Sequence, residues 1–203
     1  MVYDALYAFD GEARKGIGGL LCGVDEAGRG PLAGPVACAA VILRPESRFD
    51  GLNDSKKVSE KRREALYDAI TSECVAFAVA LVDNRTIDEI NILQATMLGM
   101  RRAVEDLGVP VSLALIDGNC APQLSAPCRT VIGGDGLSAS VAAASILAKV
   151  TRDRFMRELA LRYPQYGFEK HKGYPTKEHY AAIDAWGVTA YHRRSFLKGR
   201  AAK

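Results

Sequence analysis

Residues 20–43 read LLCGVDEAGRGPLAGPVACAAVIL. Residues 20–24 form an unbroken apolar run that ends directly on Asp25 and Glu26. Residues 35–43 form a second run, rich in Val, Ile and Ala. Short apolar runs bounded by turn signals read as buried strands. The segment between them, AGRGPLAG, carries the Gly and Pro punctuation of a turn. The spacing therefore predicts a hairpin with an elaborate loop, with two acids at the end of its first strand.

Working outward, residues 53–58 make a polar loop containing Asp54-Ser55-Lys56-Lys57, and Ser59 reads as the cap of a helix through Leu66. A third strand is predicted over 74–82. Thr86 opens a helical stretch that runs to Leu107 and is closed by Gly108 and Pro110. A fourth strand, 111–116, has Asp117-Gly118-Asn119 at its C-terminal end, and 129–132 is a short fifth. Residues 137–163 form a long helix stopped by Pro164, and 176–186 a further helix closed by Gly187. Residues 1–19 are a lead-in, helical near 6–14. A hairpin start followed by crossover units implies an α/β protein with a mixed sheet flanked by helices. With 203 residues the expectation is one domain over 1–203, whose last portion, about 164–203, is helical and basic.

Composition sits near globular averages, and no apolar run approaches the ~20 residues of a spanning helix. No basic segment precedes an apolar one near the start, so the expectation is a soluble, cytoplasmic protein, monomeric by default. The five cysteines are odd in number and lack a C-x-x-C pair, which argues against a disulfide framework or a structural zinc site. They read mostly as small core residues. The three histidines form no H-E-x-x-H pattern, so zinc hydrolysis is unsupported. Net charge is +3, but it is unevenly spread. From Lys149 onward there are 13 Lys/Arg and 5 Asp/Glu, or +8; the remainder has 14 and 19, or −5. That asymmetry points to a polyanionic partner, with solvated basic helices as the plainer alternative.

Asp25, Glu26 and Asp117 fall at strand ends, where side chains escape the packed layers and ligand sites gather. Asp135 follows two glycines just before the long helix. Carboxylates brought together repel one another unless cations join them, and oxygen donors suit Mg²⁺ or Mn²⁺. Two such ions would support in-line phosphoryl transfer. The alternatives are surface acids and a simple turn at Asp117-Gly118-Asn119. Gly28-Arg29-Gly30 is neither a P-loop nor a dinucleotide fingerprint; as a pattern alone it is a tight turn or a place where backbone meets a ligand.

As a string, GVDEAGRGPLAGPV (23–36) resembles the signature of type 2 ribonuclease H, ribonuclease HII. LNDSKK (52–57), LIDGN (115–119), Gly134-Asp135, ASILAKVTRDR (144–154) and HKGYPT (171–176) continue the resemblance in order. It implies a ribonuclease H-like fold, a five-stranded mixed sheet with a helical C-terminal portion. It also implies metal carboxylates at Asp25, Glu26, Asp117 and Asp135, a junction-reading loop at Gly28, Arg29 and Gly30, and a stacking tyrosine at Tyr174. The implied activity is endonucleolytic cutting of the RNA strand of RNA/DNA hybrids, and nicking 5′ of ribonucleotides embedded in duplex DNA, with Mn²⁺ or Mg²⁺. The cut leaves 3′-hydroxyl and 5′-phosphate ends.

Ser145, Lys149 and Arg152 share one face of the long helix. Lys149 and Arg152, with Lys56, Lys172 and Arg193, are the candidates for backbone phosphate. A non-catalytic binding module and a hydrolase of small phosphates are the competing readings. The four acids argue against the first, and the basic C-terminal part against the second.

Overall fold

The computed structural model describes residues 2–197. All five strands of the sequence reading form, as β1 (Leu21–Ala27), β2 (Val36–Ile42), β3 (Ala76–Val82), β4 (Leu113–Asp117) and β5 (Cys128–Val131). They make one mixed sheet in the order β3-β2-β1-β4-β5. The opening segment is the hairpin its turn signals required: β1 and β2 pair antiparallel, from Gly23 opposite Val41 to Ala27 opposite Ala37. β3 adds antiparallel to β2, while β4 and β5 add in parallel on the other side of β1.

The sheet is covered on both faces, which is why its central strands read as continuous apolar runs. Side chains alternate along β2. Val36, Cys38, Ala40 and Ile42 pack with α3 (Asn84–Glu105). Ala37, Ala39 and Val41 pack with α2 (Glu60–Glu73) and α4 (Ala139–Arg162). α4 is buried almost all round from Ala139 to Ala148, so its sequence carries little amphipathic pattern. It crosses β1 so closely that a Cβ on Gly23 would lie 2.1 Å from the Ser140 carbonyl carbon.

α1 (Val2–Arg14) is the helix expected in the lead-in; it packs Leu6 into the core and is anchored to α4 by one acid. Asp10 accepts from the Ser138 hydroxyl at 2.5 Å and from the Ser140 amide and hydroxyl at 2.9 and 2.6 Å. It thereby supplements the Ser138 N-cap of α4.

Three features depart from the sequence reading. α3 is two helical segments joined at Asn91, whose φ is +67°; its side chain caps the second segment by accepting from the Leu93 and Gln94 amides. With ψ at +166° this is a strained backbone region otherwise taken by glycine, held here by the side-chain cap. Between α4 and α6 (Lys177–Trp186) lies a short α5 (Phe168–His171) that the pattern did not reveal. Only Cys22 and Cys38 are core residues; Cys74 is half-buried, and Cys120 and Cys128 are exposed.

The charge asymmetry is partly resolved inside the molecule. Arg154 and Arg157 of α4 pair with Glu60, Glu64 and Asp68 of α2. Among the described residues no helix is long and apolar enough to cross a membrane.

Candidate active site

The end of β1 lies between β2 and β4, so Asp25 and Glu26 emerge at the centre of the sheet and Asp117 emerges from the adjacent parallel strand. Asp25 shares the face of Gly23, the face under α4. It is almost fully buried. That burial, then the charges of Glu26 and Asp117, push its carboxyl well above the usual range, against hydrogen bonds from Ser145 and the Glu26 amide (2.7 Å). Glu26 is likewise raised, by burial first; Arg29 opposes the shift and Asp117 adds to it. Arg29 approaches Glu26 at 3.4 Å.

Asp117 accepts from the Gly134 amide at 2.6 Å. This bond folds the glycine segment back onto β4 and sets the short 3-10 turn Gly134–Gly136 beside the strand ends. Asp135 is raised by burial, then by Asp54 and Asp117, with Lys56 opposing. Lys56 Nζ stands 3.6 Å from Asp135 and 3.9 Å from Asp54. Burial alone would lower Lys56, but Asp54, Asp135 and Asp25 together raise it.

The four acids thus share one electrostatic environment in which each of Asp25, Glu26 and Asp135 is driven toward its protonated form. A divalent cation would reverse that drive, and an all-oxygen donor set suits Mg²⁺ or Mn²⁺. The residues fit such an ion by their chemistry. Among the described residues, however, no group of three or more acidic, His or Cys side chains is already arranged to hold one. Asp25 and Asp117 each have an oxygen engaged by a backbone amide, and Asp135 faces Lys56. Joint coordination requires these side chains to turn.

Beside the acids, Glu26, Gly28, Arg29, Gly30, Ser55, Lys56, Ser145, Lys149 and Tyr174 line an open cleft of about 210 Å³. A larger cleft of about 410 Å³ between β3, α4 and residues 190–191 contains none of the four acids. The glycine loop holds its shape from below. Arg193 donates to the carbonyls of Gly34, Arg29 and Gly28 at 2.9, 2.9 and 2.7 Å. Arg152 donates to Pro35, Lys172 and Ala33 at 3.0, 3.0 and 3.1 Å. Gly28, at φ +95°, rests directly on Arg152: a Cβ there would meet its Nε at 2.0 Å.

The expectation that Arg152 and Arg193 meet phosphate is therefore corrected. Both are fully buried, and their guanidinium groups are committed to backbone carbonyls. Burial pushes them down to about 10 and about 9. Lys149 lies in the cleft but is paired with Asp153 at 2.7 Å. Lys172 is half-buried and lies outside the cleft lining, with its ammonium turned back to the Glu169 carbonyl. Tyr174 is exposed at the rim, with its ring 3.8 Å from where a Gly30 Cβ would stand.

Sequence reasoning missed the support of Asp25. The Ser145 hydroxyl lies 2.9 Å from that of Ser55, and both are buried. It also missed Asp54 beside Asp135. The signal was present in Asp54-Ser55-Lys56, of which only the lysine was singled out, because serine and a loop aspartate are common in turns.

The ribonuclease HII family model matches residues 22–198. Ribonuclease HII of Dechloromonas aromatica is 58% identical over 178 residues, 88% of this chain and 91% of that protein. The crystal structure of ribonuclease H2 from Pyrococcus horikoshii superposes with a TM-score of 0.76 at 25% identity, covering 90% of this chain and 97% of that one. The ribonuclease HII of Archaeoglobus fulgidus, solved as a complex with PCNA, gives 0.71 at 25% identity over 86% and 93% of the two chains. With the ribonuclease H-like sheet and the strand-end acids in place, these matches show that the chain belongs to the ribonuclease HII family of metal-dependent endonucleases.

Proposed function

We propose that the chain hydrolyses the RNA strand of RNA/DNA hybrids and nicks duplex DNA on the 5′ side of embedded ribonucleotides, leaving 3′-hydroxyl and 5′-phosphate ends. The observation that carries this reading is the shared cleft: Glu26 and the glycine loop line the same groove, beside Asp25, Asp117 and Asp135. A reader of sugar chemistry is thereby attached to a charge cluster suited to phosphodiester cleavage.

Asp25, Glu26, Asp117 and Asp135 would hold two divalent ions, Mn²⁺ or Mg²⁺. Such ions, when bound, would supply activation of a water and neutralisation of charge at the leaving oxygen. The chain does the positioning. Ser145, backed by Ser55, fixes Asp25. The Gly134 amide fixes Asp117 and brings Asp135 within its reach. Arg193 and Arg152 pin the backbone of 28–35, so that Gly28 and Gly30 can approach the 2′-hydroxyl, the group by which a protein separates RNA from DNA. Tyr174 offers a ring face at the junction, while Arg29 and Lys56 supply positive charge along the substrate backbone, joined by Lys149 where substrate phosphate displaces Asp153. The PCNA complex of the archaeal relative makes a protein of that kind a candidate partner.

The test is a set of labelled duplexes: all-DNA, RNA/DNA hybrid, RNA/RNA, and DNA with one ribonucleotide. Cutting of the hybrid and a single nick 5′ of the lone ribonucleotide, with product ends as stated, support the reading. Equal cutting of the all-DNA or RNA/RNA duplex removes the role given to the glycine loop.

A further inference from the structure

All three histidines of the chain converge beneath the loop that carries Tyr174, with His179 hydrogen-bonded to His192 and His171 stacked on His179. His171 Nε2 lies 2.7 Å from the Tyr166 carbonyl, and its Nδ1 accepts from the Gly173 amide at 3.1 Å. His179 Nδ1 lies 3.0 Å from the Tyr174 carbonyl, and its Nε2 lies 3.1 Å from His192 Nε2. His192 Nδ1 accepts from the Thr189 amide at 2.8 Å. The His171 and His179 rings stack at 4.5 Å, with the Phe168 ring edge-on to both.

These partners fix every proton. A carbonyl only accepts, so His171 carries its hydrogen on Nε2 and His179 on Nδ1. A backbone amide only donates, so Nδ1 of His171 and of His192 is bare. His192 therefore carries its hydrogen on Nε2 and donates it to the bare Nε2 of His179. Each ring is neutral and has one permitted tautomer. A second proton on any of them would set two N–H groups against each other.

The cluster joins the two halves of the cleft. His192 forms a bridge with Ala33 of the glycine loop, and the next residue is the loop anchor Arg193. At the other end, Gly173 and Tyr174 are suspended from His171 and His179, while the Gly173 carbonyl accepts from Leu32 at 2.8 Å. We propose that His171, His179 and His192 are positioning residues: a neutral, proton-ordered relay that holds Tyr174 in register with the glycine loop. The proposal rests on the reading above that Tyr174 faces substrate.

Burial first, then the neighbouring histidines, pushes His179 and His192 down to about 4 against their backbone hydrogen bonds, in keeping with rings held neutral. The groups facing the relay are the Tyr166 and Tyr174 carbonyls, the Gly173 and Thr189 amides, and the Phe168 ring. Glu178 and Lys170 stand within electrostatic reach of its outer end at His171 and of each other.

Imidazole nitrogen–proton correlations on the ¹⁵N-labelled protein at neutral pH read the tautomers directly. His179 is expected as the sole Nδ1–H ring, with the other two Nε2–H; an Nε2–H tautomer at His179 overturns the relay. Function is then read on the duplex with one ribonucleotide. His179→Leu is expected to raise KM on the order of tenfold, the equivalent of one lost hydrogen bond, with kcat little changed. His179→Asn, whose amide can donate where Nδ1 does, is expected to restore most of it, which guards against simple misfolding of the leucine variant. In a Tyr174→Ala background, His179→Leu is expected to add nothing. Additive effects overturn the proposal. If Tyr174→Ala alone leaves cleavage unchanged while the tautomers are as stated, the role of Tyr174 fails and the relay remains as the loop's support.

Discussion

Arg152 is the residue whose role the structure changes most, and replacing it with methionine separates the two accounts of it. Methionine keeps the apolar stem and removes the guanidinium. The Pro35, Ala33 and Lys172 carbonyls then lose their donor. Each orphaned buried acceptor costs about 1–3 kcal/mol. Against this, the variant no longer buries a charge that burial already disfavours. Three acceptors at the low end sum to about 3 kcal/mol, and the relieved desolvation offsets part of this, leaving a net loss of about 1–3 kcal/mol. The assay is denaturant unfolding, with the midpoint lowered and the slope unchanged. Lys170→Met, at an exposed site, serves as control and is expected within about 0.5 kcal/mol of the parent. Substrate binding is followed in parallel against salt, where loss of one phosphate contact lowers the log–log slope by about 1. Arg152→Met is expected to leave that slope in place. Parent-like stability together with a slope reduced by one would refute the anchoring role and return Arg152 to the phosphate.

Arg193→Lys is expected to raise KM for hybrid on the order of tenfold and to lower stability, since a single ammonium cannot reach the Gly34, Arg29 and Gly28 carbonyls together; steady-state kinetics and melting check it. Gly23→Ala sets a methyl against the Ser140 backbone and is expected to destabilise by about 3 kcal/mol or to abolish soluble expression, read by unfolding or yield. His179 and His192 have folded values below their unfolded ones, so the unfolded chain binds more protons between about 4 and 6.5. Their contribution is present above about 6.5 and is lost as pH falls toward about 4; thermal melting across that window should show the fall, and His192→Asn should flatten it.

The sheet and the acids at its strand ends were legible because local signals agreed: apolar runs, turn residues and the placement of Asp25, Glu26 and Asp117. The break at Asn91 was not legible, since its left-handed backbone sits inside a periodic helical pattern. α5 was too short to show a period. The arginines misled for a physical reason. Arg152 shares a helix face with Lys149, and spacing alone cannot separate an arginine that meets solvent from one that ties down a loop 117 residues away in sequence. Asp10 shows the same limit from the other side: its partners, Ser138 and Ser140, lie 128 and 130 residues off. Long-range polar anchoring of this kind leaves no periodic trace.

We propose that Asp25, Glu26, Asp117 and Asp135 act through divalent ions on a ribonucleotide. The direct measurement is cleavage of a DNA duplex bearing one ribonucleotide by the parent chain and by Asp25→Asn, each with Mn²⁺ and with chelator. Asparagine keeps the shape of the side chain and an acceptor oxygen while removing the charge that burial, Glu26 and Asp117 disfavour, so the variant should remain folded. The expected result is a nick 5′ of the ribonucleotide by the parent with Mn²⁺ alone, and none with chelator or from the variant. Cleavage that survives chelation, or parent-like cleavage by Asp25→Asn, would contradict it.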